Sequence, residues 1–427
     1  MRTFSPGAKH PDIDLVQLGL SRAGYLPGAL DGFFGPKTRT ALDRFRTDRN
    51  LELIPDIAEQ DWRALAPFLA GYVVRTLRSG DNLPHLAEQF HTSISAIEGA
   101  NPGLIPQYLQ MGRRLIIPLG FPLVSGDIRF TSTALEYTLR GLMARYPAIR
   151  QKTIGHSVSG REIPVLIFGK GSHHVSYNAA HHANEWITTP ILLKFLEEYA
   201  QAQAEGGQIA NLEAALLFSA TTLHLIPMVC PDGVDIATGA LDRGPDYEYA
   251  MLLAENYPHI PFPQGFKANL RGVDLNLQYL AGWEQAQKIK FSQGFTRPGP
   301  RDYVGKAPLS EPESRALYDY TLQNDFSLTL SYHSQGEIIY WRYLDLLPPS
   351  SSEIGKIFAR LSGYSLEETP YASGHAGYKD WFILHHNRPG CTIEVGLGES
   401  PLPLAQFDKI YADNREMLAV ALVITAS

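Results

Sequence analysis

The stretch NAAHHANEWITTP, Asn178 to Pro190, decides how the larger part of this chain is read. The apolar run that leads into it, HVSYNAA (His174 to Ala180), is of the kind that forms a buried strand. A helical pattern follows from Pro190 to Ala204, so the quoted residues fall on a turn between strand and helix. That turn leaves the carboxyl edge of a sheet, where open α/β folds place their ligands. His182 and Glu185 are three residues apart on it and converge on one ion if the turn is tight. A pair of surface or capping side chains would give the same spacing.

Working outward, IPVLIF (Ile163 to Phe168), LHLIPMV (Leu223 to Val229), FSLTLSYH (Phe326 to His333) and CTIEVG (Cys391 to Gly396) are further buried-strand runs. Helical stretches such as Glu311 to Asn324 separate most of them, which predicts one α/β domain with a mixed, largely buried sheet. Residues 240 to 305 are rich in Pro, Gly and Tyr and are expected to form long loops framing a site. His333 closes another strand run and supplies a third donor. Two imidazoles and one carboxylate, with a fourth position open, suit a catalytic zinc. Strand alternation puts His181 opposite His182, in a supporting or core position.

The order of these pieces resembles the M14 family of zinc carboxypeptidases over about residues 130 to 425. HxxE is followed by Trp186-Ile187-Thr188, then VCPDGVD, RGVDLN, the distant His333 and TIEVG. The resemblance implies one zinc per chain held by His182, Glu185 and His333, with Glu394 as general base. It suggests Arg271 for stabilising the developing oxyanion, with Lys267 as fallback, and Tyr371 as a mobile gating residue. Asn276 falls in the substrate-binding motif, but the arginine that pairs with it in the family's exopeptidases is replaced by Leu277. Cys230 stands where asparagine is usual. Tyr378 and Lys379 fall where the side-chain pocket is lined, and a lysine there suits a substrate bearing a carboxylate.

The first 120 residues have a different character. LDGFFGPKTRTALDRF (Leu30 to Phe45) reads as turn then helix, and IAEQDWRALAPF repeats it 23 residues later, with Ala58 under Gly35 and Phe68 under Phe45. With VQLGLSRAGYLPG upstream, this resembles the three-helix type of peptidoglycan-binding domain. GYVVRTLRSGDNL through GRRLIIPLG (Gly71 to Gly120) has a βααβ order and resembles a LysM domain, which binds N-acetylglucosamine-containing glycans. The expected division is 1–69, a small all-α domain; 70–120, a small βααβ LysM domain; and 121–427, the peptidase, after the joint GFPLVSGD.

Composition agrees with several folded modules: 427 residues, 44% hydrophobic and 19% charged. A net charge of -7 without a basic tract argues against nucleic acid as a partner. Residues 1 to 120 carry 13 Lys and Arg against 12 Asp and Glu, which suits glycan recognition by shape and hydrogen bonding. Cys230 and Cys391 lie in apolar runs and are expected to be buried thiols. No apolar signal region and no membrane-length run is visible, so location at the wall, on a spore or in the cytoplasm all stay open. The expectation is a wall-tethered zinc peptidase most similar to bacterial γ-D-glutamyl-diaminopimelate endopeptidases. A general exocarboxypeptidase and a catalytically dead wall-binding adaptor are its rivals.

Overall fold

A computed structural model describes residues 2–425. The chain forms two compact units, Met1–Ile149 with Glu197–Gly207, and Arg150–Leu196 with Gln208–Ser427. Residues beyond the joint at 120–127 therefore pack with the small N-terminal modules.

In the first unit, helices Pro11–Arg22, Pro36–Asp48 and Glu59–Ala70 enclose Ile13, Val16, Leu42, Phe45, Trp62 and Leu65. The 23-residue repeat has a physical basis. Gly35 and Ala58 are both N-cap residues, and the equivalent rings of Phe45 and Phe68 meet edge to face at 6.3 Å. Arg46 is wholly buried and grips Asp61 through two bonds of 2.8 and 2.6 Å, while Asp61 also accepts the Ala58 amide at the helix start. Strands β1 (Tyr72–Thr76) and β2 (Arg114–Pro118) pair antiparallel around helices Leu83–Gln89 and Ile94–Ala100, the expected βααβ order. Asn101 ties the second helix to β2 by exchanging hydrogen bonds with the Ile116 backbone.

The second unit is built on an eight-stranded mixed sheet. Its strands are β3 (Arg150–His156), β4 (Glu162–Gly169), β5 (His173–Ala179), β8 (Thr221–Ile226), β9 (Phe326–His333), β10 (Ile338–Tyr340), β11 (Ser365–Glu367) and β12 (Gly390–Glu394). The order across the sheet is β11-β10-β12-β9-β5-β8-β4-β3, and a two-residue ribbon, β6 (Gln208–Ile209) with β7 (Leu212–Glu213), lies outside it. The central strands β12, β9, β5 and β8 run parallel and are almost wholly buried, which is why they read as unbroken apolar runs. Residues 240–305 are not all loop: helices Pro245–Glu255 and Trp283–Ser292 interrupt them. Cys230 and Cys391 are buried free thiols. Among the described residues no helix is long and apolar enough to cross a membrane.

Candidate active site

Because β5, β9 and β12 are parallel neighbours, their carboxyl ends lie side by side. Ala179 of β5 faces Tyr332 of β9, and His333 of β9 faces Glu394 of β12. After β5 the chain turns through Ala180 at φ 50° into a single 3-10 turn, Ala183–Glu185, which carries Glu185 back beside His182. The turn is docked by the Ala183 amide on the Lys267 carbonyl at 3.0 Å and by the Thr188 hydroxyl on the Glu185 carbonyl at 2.7 Å.

His182, Glu185 and His333 thus meet at one point. Nδ1 of His182 lies 3.2 Å from Nδ1 of His333 and 3.0 Å from Glu185 Oε1, and Nδ1 of His333 lies 2.9 Å from Glu185 Oε2. Zinc bonds of about 2.0–2.1 Å in a tetrahedron set their donor atoms roughly 3.3 Å apart, so the donor set fits that ion. The local field points the same way. Burial and the Lys267 ammonium would pull the His182 imidazole down, yet the carboxylates of Glu185 and Asp274 push it up to about 9. Positive charge is therefore favoured at this ring. Glu185 is held well below the usual carboxylate range, against its burial, by Lys267 and His182.

Each histidine has a polar neighbour behind it, and the one behind His182 fixes its ring. Asp274 Oδ1 sits 3.0 Å from His182 Nε2 and also accepts the Asn276 amide, while Oδ2 accepts the Asp302 amide. Asp274 is the functional residue the sequence reading passed over, although RGVDLN places it two residues before Asn276. Asn276 itself is split between tasks: its Nδ2 is 3.5 Å from His333 Nε2 and its Oδ1 accepts the Tyr378 amide at 3.0 Å. His181 points into the core, 3.1 Å from the Tyr279 hydroxyl.

A cavity of about 1030 Å³ opens over the cluster on the side of His259, Gln264, Gln293 and Glu399, and a second of about 270 Å³ on the side of Asn276, Leu277, Lys379 and Asp380. His182, Lys267, Lys290, Arg301, Asp302, Tyr340 and Glu394 line both, so the two are wings of one groove. Burial and the neighbouring Glu185 carboxylate push Glu394 up to about 8. A cation held by the adjacent ligands favours its ionised form.

Other expected residues lie elsewhere. Arg271 does not reach the cluster. Its amide is tied to Asn269 Oδ1 in a tight turn that ends at Gly272, and its side chain is half exposed, 3.6 Å from Glu311. Lys267, two residues ahead of that turn, instead points inward with Nζ 2.9 Å from Glu185 Oε1. Against the effect of burial, the Glu185 carboxylate keeps Lys267 above its ordinary value. Tyr371 is 63% exposed, edge-on to His375, and does not line either wing. Tyr378 is fully buried among His181, Tyr279 and Trp381, with its hydroxyl on Thr321, so it supports the wall from behind. Lys379 does line the wing, but its ammonium is committed to the Arg342 carbonyl, Asp380 and Thr369. Leu277 packs with Ala286, Val304, Ala376 and Trp283.

Two imidazoles and a carboxylate gathered where parallel strands end, with a second carboxylate one strand away, have the donor set of a metallohydrolase. Three family models match the chain: zinc carboxypeptidase at residues 135–417, putative peptidoglycan binding domain at 9–53 and LysM domain at 76–118. The chain belongs to the zinc carboxypeptidase family, Peptidase_M14. It is 38% identical over 392 residues to gamma-D-glutamyl-L-diamino acid endopeptidase 1 of Lysinibacillus sphaericus, covering 79% of this chain and 96% of that one. It is also 38% identical to the uncharacterized protein YqgT of Bacillus subtilis, over 69% of this chain and 77% of the other. Among solved structures the fold is similar to thrombin activatable fibrinolysis inhibitor, with a TM-score of 0.56 at 16% identity over 70% of this chain and 78% of that one. Carboxypeptidase A of Helicoverpa armigera gives 0.50 at 19% identity over 71% and 74%.

Proposed function

We propose that this protein is a zinc peptidase that cuts the bond between a γ-linked D-glutamyl residue and the diamino acid after it in peptidoglycan stem peptides. The observation that carries the reading is Leu277. At the position where an exopeptidase of the family holds its carboxylate clamp, this chain buries an apolar side chain in a small hydrophobic cluster. A terminal α-carboxylate taken out of water there would lack its bidentate partner. The groove also continues past the cluster on both sides, which suits a bond with chain on either side of it.

In this reading His182, Glu185 and His333 hold one zinc, which when bound polarises the scissile carbonyl and acidifies its water. Glu394, at a strand end beside His333, is placed to hold the proton of an attacking water and would pass it to the leaving nitrogen. Lys267, in place of Arg271, offers its ammonium to the developing oxyanion. Asp274, as an acceptor at Nε2, fixes the His182 imidazole with its Nδ1 lone pair toward the cluster, and Asn276 lies against the far ring nitrogen of His333. Residues 1–69 and 70–120 are read as two glycan anchors and 121–427 as the peptidase. Tethering raises the local concentration of enzyme on an insoluble polymer without adding a contact at the chemistry.

The test compares zinc-loaded protein on L-Ala-γ-D-Glu-diaminopimelate with a blocked dipeptide ending in Phe, Leu or Lys. Faster turnover of the γ-linked substrate is expected. Faster turnover of the ordinary dipeptide would make the protein an exopeptidase, and turnover of neither would make it an adaptor.

A further inference from the structure

Leu277 removes one carboxylate receptor, and the substrate class proposed above still brings carboxylates to the groove. A γ-linked glutamyl residue keeps its α-carboxylate free on the acyl side of the scissile bond, at the far end of the side chain whose carbonyl is cut, whereas an α-linked residue spends that carboxylate in the chain. Three cations other than Lys379 line both wings of the groove: Lys267, Lys290 and Arg301. Lys267 faces Glu185 at 2.9 Å, and Lys290 is paired with Asp302. Lys379, in the smaller wing, has its donors taken by protein acceptors.

Arg301 is different. Its Nε donates to Asp302 Oδ2 at 2.6 Å, and among the described residues no protein acceptor meets Nη1 or Nη2. The anchor is itself fixed. Asp302 is buried, its amide donates to Asp274 Oδ2, its other oxygen holds Lys290, and its backbone sits at φ 64°, in the left-handed region that aspartate tolerates better than most residues. The neighbouring Pro300 carbonyl accepts the amides of both Lys267 and Ala268 and so ties this segment to the catalytic wall. A guanidinium held by one nitrogen, with two donors free at the junction of the wings, is the geometry that reads a carboxylate.

We propose that Arg301 is the substrate-carboxylate receptor of this site and takes the free α-carboxylate of the γ-linked glutamyl residue. This rests on the reading of the substrate given above. It makes Arg301 the residue that lets the site demand a γ-linked acidic residue on the acyl side, and Asp302 and Lys290 the groups that position it.

The experiment measures kcat/KM of the zinc-loaded protein on three substrates: L-Ala-γ-D-Glu-diaminopimelate, the same peptide with D-isoglutamine in place of D-glutamate, and the same peptide amidated on the diamino acid. Losing one charge-assisted contact is expected to favour the acidic peptide over the isoglutamine peptide by about 10- to 150-fold in the wild type. In Arg301→Gln that ratio collapses towards one, and in Arg301→Lys, which keeps the charge but loses the fork, it takes an intermediate value. Affinity for the product L-Ala-D-Glu against L-Ala-D-isoglutamine, measured by calorimetry, should show the same collapse without turnover. If Arg301→Gln instead erases discrimination against amidation of the diamino acid, Arg301 serves the amine side and the assignment is overturned. It is equally overturned if the wild-type preference for the acidic peptide survives in folded Arg301→Gln. Failure of the wild type on all three substrates, with ordinary peptides cleaved, would count against the substrate class and not against Arg301 alone.

Discussion

Asp274 offers the sharpest test of how the site is held together. Its Oδ1 lies 3.0 Å from Nε2 of His182, the ring nitrogen that faces away from Glu185 and His333. That contact fixes the ring plane and leaves Nδ1 as the free lone pair. Asp274→Asn keeps an acceptor at the same place but removes the charge, and puts an NH2 where Oδ2 now accepts the Asp302 amide. Asp274→Ala removes both contacts. Partners of this kind are worth about 10- to 100-fold in metal affinity or activity, or about 1.4 to 2.7 kcal/mol. The asparagine variant is therefore expected near the low end and the alanine variant near the high end. Zinc affinity measured by competition with a chromophoric chelator gives the number directly, and activity at saturating zinc separates lost metal from misplaced metal. Wild-type zinc affinity in both variants, with the fold intact by circular dichroism, would refute the idea that Asp274 orients a ligand.

Glu394→Gln should bind zinc like the wild type and lose about 10²- to 10⁴-fold in kcat, because only the proton acceptor is removed; wild-type turnover would place the base elsewhere. Arg46→Met strands the buried Asp61 carboxylate and should cost about 3 to 5 kcal/mol in urea denaturation of the first unit, and a change below 1 kcal/mol would show that the pair is not holding those helices. The buried His224 imidazole, pressed between burial and the charges of His174, Arg150 and Lys152, is pulled down to about 3. Above pH 6.5 the folded and unfolded forms are both neutral there. As pH falls from about 6.5 towards 3 the unfolded chain takes a proton that the folded one refuses, so stability drops by about 1.4 kcal/mol per pH unit from this group. His224→Gln should flatten that slope in pH-dependent denaturation, and an unchanged slope would remove His224 from the explanation.

The sequence reveals the parts of this fold that bury continuous apolar runs. FSLTLSYH becomes β9 residue for residue, and β5 and β12 each begin one residue earlier than their apolar runs suggest. The edge strand β3, RQKTIGH, is polar and partly exposed, so no hydrophobic pattern marks it, and β10 and β11 are too short to carry one. Helices Pro245–Glu255 and Trp283–Ser292 were hidden by the prolines and glycines around them. The cluster of candidate metal donors was legible because His182 and Glu185 follow one strand run and His333 closes another. The choice between Lys267 and Arg271 was not, because it depends on the turn that Asn269 organises with its side chain. Tyr378 and Lys379 are adjacent on helix Tyr378–His386, where one step of about 100° turns a side chain from the core to the groove, and sequence counting does not resolve that step.

Which bond is cut can be measured directly in a digest of purified peptidoglycan resolved by mass. The zinc-loaded protein is expected to leave glycan carrying L-Ala-D-Glu, seen as disaccharide-L-Ala-D-Glu once a muramidase has cut the strands, and to release peptides that begin with the diamino acid. Stepwise loss of single C-terminal residues, with the γ-glutamyl bond intact, would make the protein an exopeptidase instead.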